Sequence, residues 1–350
     1  MRFILISFVA FCLFSCGTES TNKNKKKPAP IIKVPTFNSD SAYSFVEKQV
    51  AFGPRVISSK AWDKCSKYLE KKLKSYNANV QIQTAPVTTY DGKSHTLRNI
   101  IGSYNVEKNN RIVLFAHWDS RHIADHDTVR TNEPILGAND GGSGVGVLLE
   151  IARLINVSKP KVGIDIIFFD AEDYGQPENS NFPIMNDSWC LGSQHWSKNP
   201  HKKNYFAKYG ILLDMVGGKE AKFWQESIST YYASNIVDKV WNTAHNIGYS
   251  NFFVFKSSPQ IMDDHYYVNT IAGIPTIDII EYDPFSKNNF NKHWHTHADD
   301  MSNVHRETLK AVGQTVLEVI YKEYELESLG GQAAAAAHSL GTPLATISVV

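Results

Sequence analysis

The sequence is poor in cysteine, in excess charge of either sign and in long apolar runs. It has 4 cysteines, and its 36 basic and 35 acidic residues leave a formal charge of +1 over 350 residues. This balance argues against nucleic-acid binding, because no basic face or basic motif stands out to neutralise phosphates. The apolar run at residues 3–14 is too short to cross a bilayer. The remaining composition, 42% hydrophobic and 20% charged, suits one large globular domain with a sizeable core.

The N-terminus has the pattern of an export signal. Arg2 precedes the apolar run, which ends in Leu13-Phe14-Ser15-Cys16-Gly17. This ending resembles a bacterial lipobox, which implies cleavage before Cys16 and a diacylglycerol on its thiol. Residues 1–15 are therefore predicted to be a lipoprotein signal peptide. The alternative is an ordinary signal peptide with a chance cysteine.

A flexible segment is predicted to follow the signal. Residues 16–36 are rich in Thr, Asn, Lys and Pro, a composition that cannot bury a core. We expect a lipidated tether that places the protein in a bacterial cell envelope, facing the periplasm or exposed at the surface. The membrane would be contacted through this anchor only. Cys65 and Cys190 remain for the folded part, and a disulfide between them is permitted but not established by two residues.

Helical and strand patterns then alternate without a linker, which predicts a single domain over residues 37–329. Helical spacing occurs at residues 60–76, 143–155 and 306–324. Strand patterns occur at residues 80–84, 97–104, 111–116, 164–169, 211–213 and 276–280. This alternation predicts an α/β fold, a three-layer α/β/α sandwich with a mixed, mostly parallel central sheet. Residues 330–350 include a low-complexity alanine run and are expected to be a disordered or added tail.

Side chains that can bind a metal follow several of these strands. The positions are His117 and Asp119, Asp140 in a Gly-rich turn, Asp170 to Asp173, Asp214, Asp263 to His265, and His295. In parallel sheets ligands bind beyond the carboxyl ends of the strands, so we expect these groups to converge. Imidazoles and carboxylates together are suitable ligands for zinc.

Each motif alone also has an ordinary structural explanation. These are a local turn for His117 and Asp119, a helix N-cap for Asp140, a solvated turn for Glu172 and Asp173, and a His-rich surface loop for His295. Asp214 is harder to explain in this way, because a carboxylate that ends a buried strand needs a partner.

The order of these residues resembles that of the zinc aminopeptidase superfamily, which includes the glutaminyl cyclases, over residues 111–321. The resemblance implies that Asp140, Asp173 and His295 bind zinc and that Glu172 is the general base. His117 and Asp214 would complete a second metal site or serve as hydrogen-bonding scaffold. One zinc ion is expected, and two are not excluded.

The flanking residues favour the cyclases within this superfamily. Met262-Asp263-Asp264-His265 and Trp294-His295-Thr296 resemble cyclase motifs, whereas the peptidases more often have a single Asp and a Tyr at the corresponding places. By this match Asp263 and Asp214 belong to the catalytic group, and Trp294 walls the pocket for the glutamine side chain. Trp189 and Phe285 are further candidates for that pocket. Asp173 and Asp278 stand where animal cyclases have Glu and His, which suggests a bacterial branch.

The resemblance implies a zinc-dependent glutaminyl-peptide cyclotransferase. Its partners would be peptides and exported proteins with N-terminal glutamine, which it would convert to pyroglutamate with release of ammonia. One alternative is an M28-type zinc aminopeptidase that hydrolyses N-terminal residues. A minor alternative is a catalytically inactive binding ectodomain with the zinc fold, although the complete set of base and ligands argues against it. The sequence leaves the oligomeric state open.

Overall fold

Eight strands and seven α-helices occur in the computed structural model, which describes residues 33–341 and side chains as far as residue 323. The strands are β1 Asn79–Thr88, β2 Ser94–Tyr104, β3 Arg111–His117, β4 Gly163–Phe169, β5 Tyr209–Asp214, β6 Phe223–Glu226, β7 Phe253–Ser258 and β8 Thr276–Ile280. The helices are α1 Ser39–Val50, α2 Lys60–Ser75, α3 Gly142–Val157, α4 Leu191–Lys198, α5 Ser227–Asn246, α6 Asp264–Tyr267 and α7 Arg306–Gly341. Short π-helical and 3₁₀ turns lie at Val268–Ala272 and Met301–Asn303.

Six of the strands form the central sheet, in the order β1-β2-β4-β3-β5-β8. Strands β4, β3, β5 and β8 are parallel, and the β1–β2 hairpin adds antiparallel pairing at one edge. Strand β3 lies between β4 and β5, so the chain leaves β3 first toward one side of the sheet and later toward the other. Such a switch point opens a crevice at the carboxyl end of the strand, and His117 is the last residue of β3.

Helices cover both faces of the sheet. On one face, Phe115 and Phe169 pack with Trp196 of α4 and with Val268. On the other face α3 lies so close that a Cβ atom on Gly144 would sit 2.1 Å from the carbonyl oxygen of Leu213. Glycine is required there by this close approach. Helices α1 and α7 pack outside α3 and complete the third layer.

The predicted three-layer, mostly parallel fold is confirmed, and the main differences are at the ends. Helix α7 continues past the predicted end at residue 324 to Gly341, because alanine, the best helix former, is repeated along this stretch. Residues 342–350 lie outside the described residues. The predicted signal peptide, Cys16 and most of the tether also lie outside them. The described residues from Val34 onward form one compact unit.

The described residues include the cysteine pair of the folded part and all the helices that could be tested as membrane spans. Cys65 and Cys190 are both buried and free, so the permitted disulfide does not form between them. Among the helices that the structure describes, none has the length and apolar character needed to span a membrane.

Candidate metal centre and active site

His117 lies at the switch point of the sheet, where the candidate metal-binding side chains come together. Its Nε2 atom is 3.0 Å from Asp140 Oδ1 and 3.2 Å from Asp214 Oδ1. His117 is fully buried, and Asp214 is the last residue of β5, so the partner required by this buried carboxylate is the imidazole. Asp140 is not the N-cap of α3, because Gly141 occupies that position without a side-chain cap.

Asp140 also belongs to a second cluster, with Asp173 and His295. His295 Nε2 is 3.2 Å from Asp173 Oδ1 and 3.7 Å from Asp140 Oδ2. Asp173 and His295 are 1% and 2% exposed, which excludes a solvated turn and a surface loop as explanations. One ligand atom from each of the three residues lies within 4.8 Å of the other two.

This cluster fits a zinc ion on the chemistry of its donors. Neither carboxylate oxygen of Asp173 accepts a hydrogen bond within the described part of the chain, although both are buried. The imidazole of His295 at 3.2 Å and the guanidinium of Arg121 at 3.9 Å offset part of the cost of burying this carboxylate. A cation between Asp140, Asp173 and His295 would offset more of it. Two carboxylates and one imidazole leave a position open for substrate, as catalytic zinc sites do.

Carboxylates outside the three-residue ligand cluster, here called the outer carboxylates, hold the ligands in place. Asp119 accepts hydrogen bonds from the backbone N–H groups of Glu172 and Asp173, each at 3.1 Å. Asp125 Oδ1 lies 3.1 Å from His295 Nδ1, and Asp299 accepts from the backbone N–H of Asp140 at 3.0 Å. Such partners orient metal ligands and are commonly needed for full metal affinity.

Asp119 is among the candidate metal ligands predicted from the sequence, whereas no role was predicted for Asp125 or Asp299. Asp119 had a usable signal, since it lies two residues after His117 at the end of a buried strand. Asp299 and Asp125 had none, because only the fold brings their loops to Asp140 and His295.

The backbone at the site is held in an unfavourable conformation at four non-glycine residues. Their φ angles are positive: 54° at Ala171, 48° at Met215, 57° at Cys190 and 56° at His295. Left-handed conformations of this kind cost about 1–3 kcal/mol each and persist only where the surroundings enforce them. Ala171 directly precedes Glu172 and Met215 directly follows Asp214, so the strain fixes the directions of both carboxylates.

Glu172 lies beside the ligands in a buried carboxylate cluster. Cys190 Sγ donates a hydrogen bond to Glu172 Oε1 at 3.2 Å, and Asp263 supplies an oxygen within 4.8 Å of both groups. Burial raises the pKa of Glu172 well above its ordinary value. His117 opposes this rise, and the charges of Asp263 and Asp173 add to it. A raised pKa makes the Glu172 carboxylate a stronger base.

Two further acids of the site have raised pKa values. Burial raises the pKa of Asp214 to about 7, against the opposing charge of His117. Burial, followed by the charge of Asp140, raises the pKa of Asp173 to about 6.

A buried polar chain extends behind Asp263. Asp278, fully buried in β8, has Oδ2 3.8 Å from His265 Nδ1, and His265 Nε2 lies 3.1 Å from Glu226 Oε2. Glu226 accepts hydrogen bonds from two backbone N–H groups at the start of α5. Burial and the charges of Asp263 and Asp214 raise the pKa of Asp278 well above its ordinary value.

A cavity of about 470 Å³ opens over these groups. Trp294 and Trp189 both line it, and the Trp294 ring stacks on His295 with centroids 3.8 Å apart. Phe290 also lines the cavity and packs against Trp294 at 4.7 Å.

Phe285 does not line this cavity, contrary to the prediction that it walls the substrate pocket. It is 96% exposed and borders a neighbouring groove with Trp224 and Tyr282. It lies in the turn after β8, where the chain reverses between Asp283 and Asn289 and directs this side chain outward. Phe290 provides the aromatic wall instead, and no pattern in the sequence separates the two phenylalanines.

The model of peptidase family M28 matches residues 99–320. The chain belongs to peptidase family M28. This membership confirms the predicted superfamily and implies zinc at the centre of this M28 protein, while the number of ions stays a prediction.

Solved structures similar to this M28 chain are named for two activities. A Zn-dependent exopeptidase from Parabacteroides distasonis is 55% identical with a TM-score of 0.81, over 83% of this chain and 99% of that one. A Bacteroides thetaiotaomicron glutaminyl cyclase bound to N-acetylhistamine is 52% identical with a TM-score of 0.81, again over 83% and 99%. The names alone therefore do not separate cyclisation from hydrolysis.

More distant curated relatives repeat this division between the two activities. The aminopeptidase YwaD of Bacillus subtilis is 26% identical over 246 residues, which make up 67% of this M28 chain and 46% of that protein. The chain spans about half the length, or less, of the first curated relatives it matches.

Proposed function

We propose that this M28 chain is a zinc-dependent glutaminyl-peptide cyclotransferase that converts N-terminal glutamine to pyroglutamate and releases ammonia. The observation that carries the proposal is the placement of Glu172 and Asp263. Both carboxyl groups line the cavity that contains Asp140, Asp173 and His295, and both lie in one cluster with atoms within 4.8 Å. Cyclisation requires a proton to leave one nitrogen and reach another, and adjacent carboxyl groups on one side of the substrate are suited to that transfer.

The proton transfers follow from the position of Glu172. The substrate α-nitrogen attacks the γ-carbonyl carbon, and Glu172 takes a proton from that nitrogen as the new C–N bond forms. The bond from the γ-carbon to the amide nitrogen then breaks, and Glu172 returns the proton so that ammonia leaves. A zinc ion held by Asp140, Asp173 and His295 would supply Lewis-acid polarisation of the γ-carbonyl. Burial raises the pKa of Glu172, and this strengthens its carboxylate as the base that takes the proton of the substrate nitrogen.

The walls of the cavity supply the geometry of ring closure. Trp294 and Phe290 present flat rings beside His295, so an extended glutamine side chain meets aromatic surface. Folding the side chain back toward its own α-nitrogen converts a rare encounter into a preorganised one. Asp263 and Asp214 lie where they can orient that nitrogen against Glu172.

An M28-type aminopeptidase is the second candidate. The cluster of His117, Asp140 and Asp214 favours it, because these buried residues can hold another cation and a pair of metal ions activates water for peptide hydrolysis. The cyclase does not use water as a reactant, so one ion suffices and His117 serves as scaffold. An inactive binding ectodomain has no chemical need for the buried base Glu172.

A paired assay separates the two activities. The purified zinc-loaded protein is given Gln-X and Leu-X dipeptides, with ammonia measured for the first and free leucine for the second. We expect ammonia and pyroglutamyl product from Gln-X and no leucine release. Leucine release at the higher rate would establish the aminopeptidase, and inertness toward both peptides would support the binding ectodomain.

We further propose that the mature protein is anchored in a bacterial cell envelope through a lipidated Cys16, facing the periplasm or exposed at the surface. Its substrates would be peptides and exported proteins whose N-terminal glutamine is exposed after signal removal. The lipobox-like ending before Cys16 supports this location. Radiolabelled fatty acid should enter the wild type and not Cys16→Ser. Equal labelling of the two proteins, or none in either, would contradict the anchor.

A further inference from the structure

Cys190 places a thiol directly against the proposed base. Its Sγ atom is 3.2 Å from Glu172 Oε1, and its backbone N–H donates to the carbonyl oxygen of Glu172 at 3.0 Å. The residue is fully buried and free, and it borders the central cavity beside Glu172. The proposed cyclisation leaves this thiol without a chemical role.

Asp263 completes a set of three ligands around the same point. Its Oδ1 accepts the backbone N–H of Asp264. Its Oδ2 is buried and accepts no hydrogen bond from an N–H or hydroxyl group within the described residues, although the carboxyl group of Asp278 lies within 4.8 Å of Asp263. Asp263 is 3% exposed and lines the cavity together with Glu172 and Cys190. One ligand atom from each of the three residues lies within 4.8 Å of the others. An unpaired carboxylate oxygen beside a thiol and a second carboxylate is a ready position for a cation.

We propose that Glu172, Cys190 and Asp263 form an inhibitory site for a thiophilic divalent cation, such as cadmium, or zinc supplied beyond the catalytic ion. Binding breaks the S–H bond of Cys190: the proton passes to the buffer and the thiolate coordinates the cation through sulfur. Glu172 and Asp263 each contribute a carboxylate oxygen. Zinc accepts this mixture of sulfur and oxygen ligands, and softer cations favour the thiolate still more.

This site is chemically distinct from the catalytic centre. The centre formed by Asp140, Asp173 and His295 has only oxygen and nitrogen donors, so a sulfur signal cannot arise there. A cation held by Glu172 occupies the carboxylate that takes the substrate proton, and turnover then stops. Binding does not depend on the proposed function, whereas inhibition depends on the role of Glu172 in it.

The test titrates the zinc-loaded full-length protein with cadmium chloride in the absence of oxygen. Three quantities are followed: the ultraviolet thiolate-to-cadmium charge-transfer absorption, the bound zinc and cadmium after desalting, and ammonia release from Gln-X. Cys190→Ser removes the thiol and keeps a hydroxyl near Glu172. Cys65→Ser is the matched control, because Cys65 is the other buried free cysteine and lies on α2.

We expect the wild type and Cys65→Ser to gain one cadmium per chain with the sulfur band while zinc content stays constant. Cys190→Ser should lose that component of the band and bind the added cadmium at least about tenfold more weakly, since even an outer partner of a metal ligand contributes 10–100-fold. An equal band and equal affinity in Cys190→Ser would overturn the proposal. Cadmium uptake only in exchange for zinc, without a sulfur band, would also overturn it. Cadmium bound at Cys190 without loss of turnover would support the metal site but contradict the role of Glu172 as the group that takes the substrate proton.

Discussion

At the residue scale, Glu172 is held at both its backbone and its side chain. Asp119 accepts its N–H and the Cys190 thiol donates to its carboxylate. We expect Glu172→Gln to keep the melting temperature and the zinc content, because the amide has nearly the same shape. Turnover of Gln-X should fall by roughly 10²–10⁴, since the amide cannot accept the proton of the substrate nitrogen. The measurement is kcat/KM by ammonia release together with metal analysis.

Glu70→Gln is a suitable control for that experiment, because Glu70 lies on α2 in a surface pair with Lys74. It should leave kcat/KM unchanged. Cyclisation by Glu172→Gln at the wild-type rate would show that another group takes the proton.

The Trp294 side chain has two roles to separate, as a wall of the cavity and as a packing partner of His295. It lines the cavity, and it also stacks on His295 at 3.8 Å. We expect Trp294→Phe to keep zinc and part of the activity, because a flat ring remains. Trp294→Ala should lower kcat/KM for Gln-X more than it lowers zinc occupancy. Measuring kcat/KM, melting temperature and bound zinc on the same preparations separates pocket from packing. A loss of activity that only follows the loss of zinc would assign Trp294 to packing.

At the scale of elements, Glu281 joins the segment after β8 to the loop before α3. It is 6% exposed and accepts hydrogen bonds from Asn291 Nδ2 at 2.9 Å and Asn139 Nδ2 at 3.4 Å. Burial raises its pKa from 4.5 to about 7, against the opposing hydrogen bonds. The folded chain therefore binds this proton more tightly than the unfolded chain does. The free energy of unfolding falls as pH rises from about 4.5 to about 7, and the full loss is about 3 kcal/mol.

Glu281→Gln removes this titration and can keep one acceptor for the asparagine amides. Between pH 5 and pH 8 the wild type should lose most of that free energy of unfolding, whereas the variant should not. The difference in unfolding free energy between variant and wild type should therefore shift in favour of the variant over this range. Denaturant unfolding at both pH values measures it. Glu133→Gln, at an exposed position, should show no such change relative to wild type. Parallel pH dependences of wild type and Glu281→Gln would contradict the prediction.

The central elements could be predicted from the sequence because their burial leaves a simple pattern. Every residue of β3, β4 and β5 is buried, so each is an almost unbroken apolar run. Helices α1, α4, α5 and α6 and strands β6 and β7 were not predicted. The exposed middle of β7 and the polar face of α5 give weak periodicity, and only their tertiary neighbours decide their structure.

At the scale of the whole molecule, two ligand clusters share Asp140, and zinc analysis distinguishes their roles. Alanine in place of Asp140, Asp173 or His295 should release the catalytic zinc, because each removes one of three ligands. His117→Ala and Asp214→Ala should leave one equivalent bound if these residues are scaffold. Elemental analysis after dialysis gives the count. Two tightly held ions in the wild type, with one lost in His117→Ala, would contradict the one-zinc prediction.

The candidate site was predictable from the sequence to the extent that strand ends determine it. His117 and Asp214 end strands, and Asp173 follows β4 by four residues, so the parallel sheet alone brings them together. His295 lies 15 residues beyond β8, and the choice between Phe285 and Phe290 depends on how that long segment folds. Side chains on such a segment are positioned by contacts remote in sequence, which local patterns do not encode.

The four left-handed residues around the ligands bear on how this protein would respond to laboratory evolution for heat tolerance. Glycine at Ala171 removes a steric penalty of about 1–2 kcal/mol, and the added freedom of the unfolded chain offsets about 0.5–1 kcal/mol of that gain. At Met215 the loss of a buried side chain would outweigh the same relief. Some glycine variants should therefore survive heating as well as the parent does. Their carboxylates, however, would no longer be confined to one direction. A screen that scores survival alone would enrich robust chains with a loosened centre, so selection has to reward turnover after heating as well.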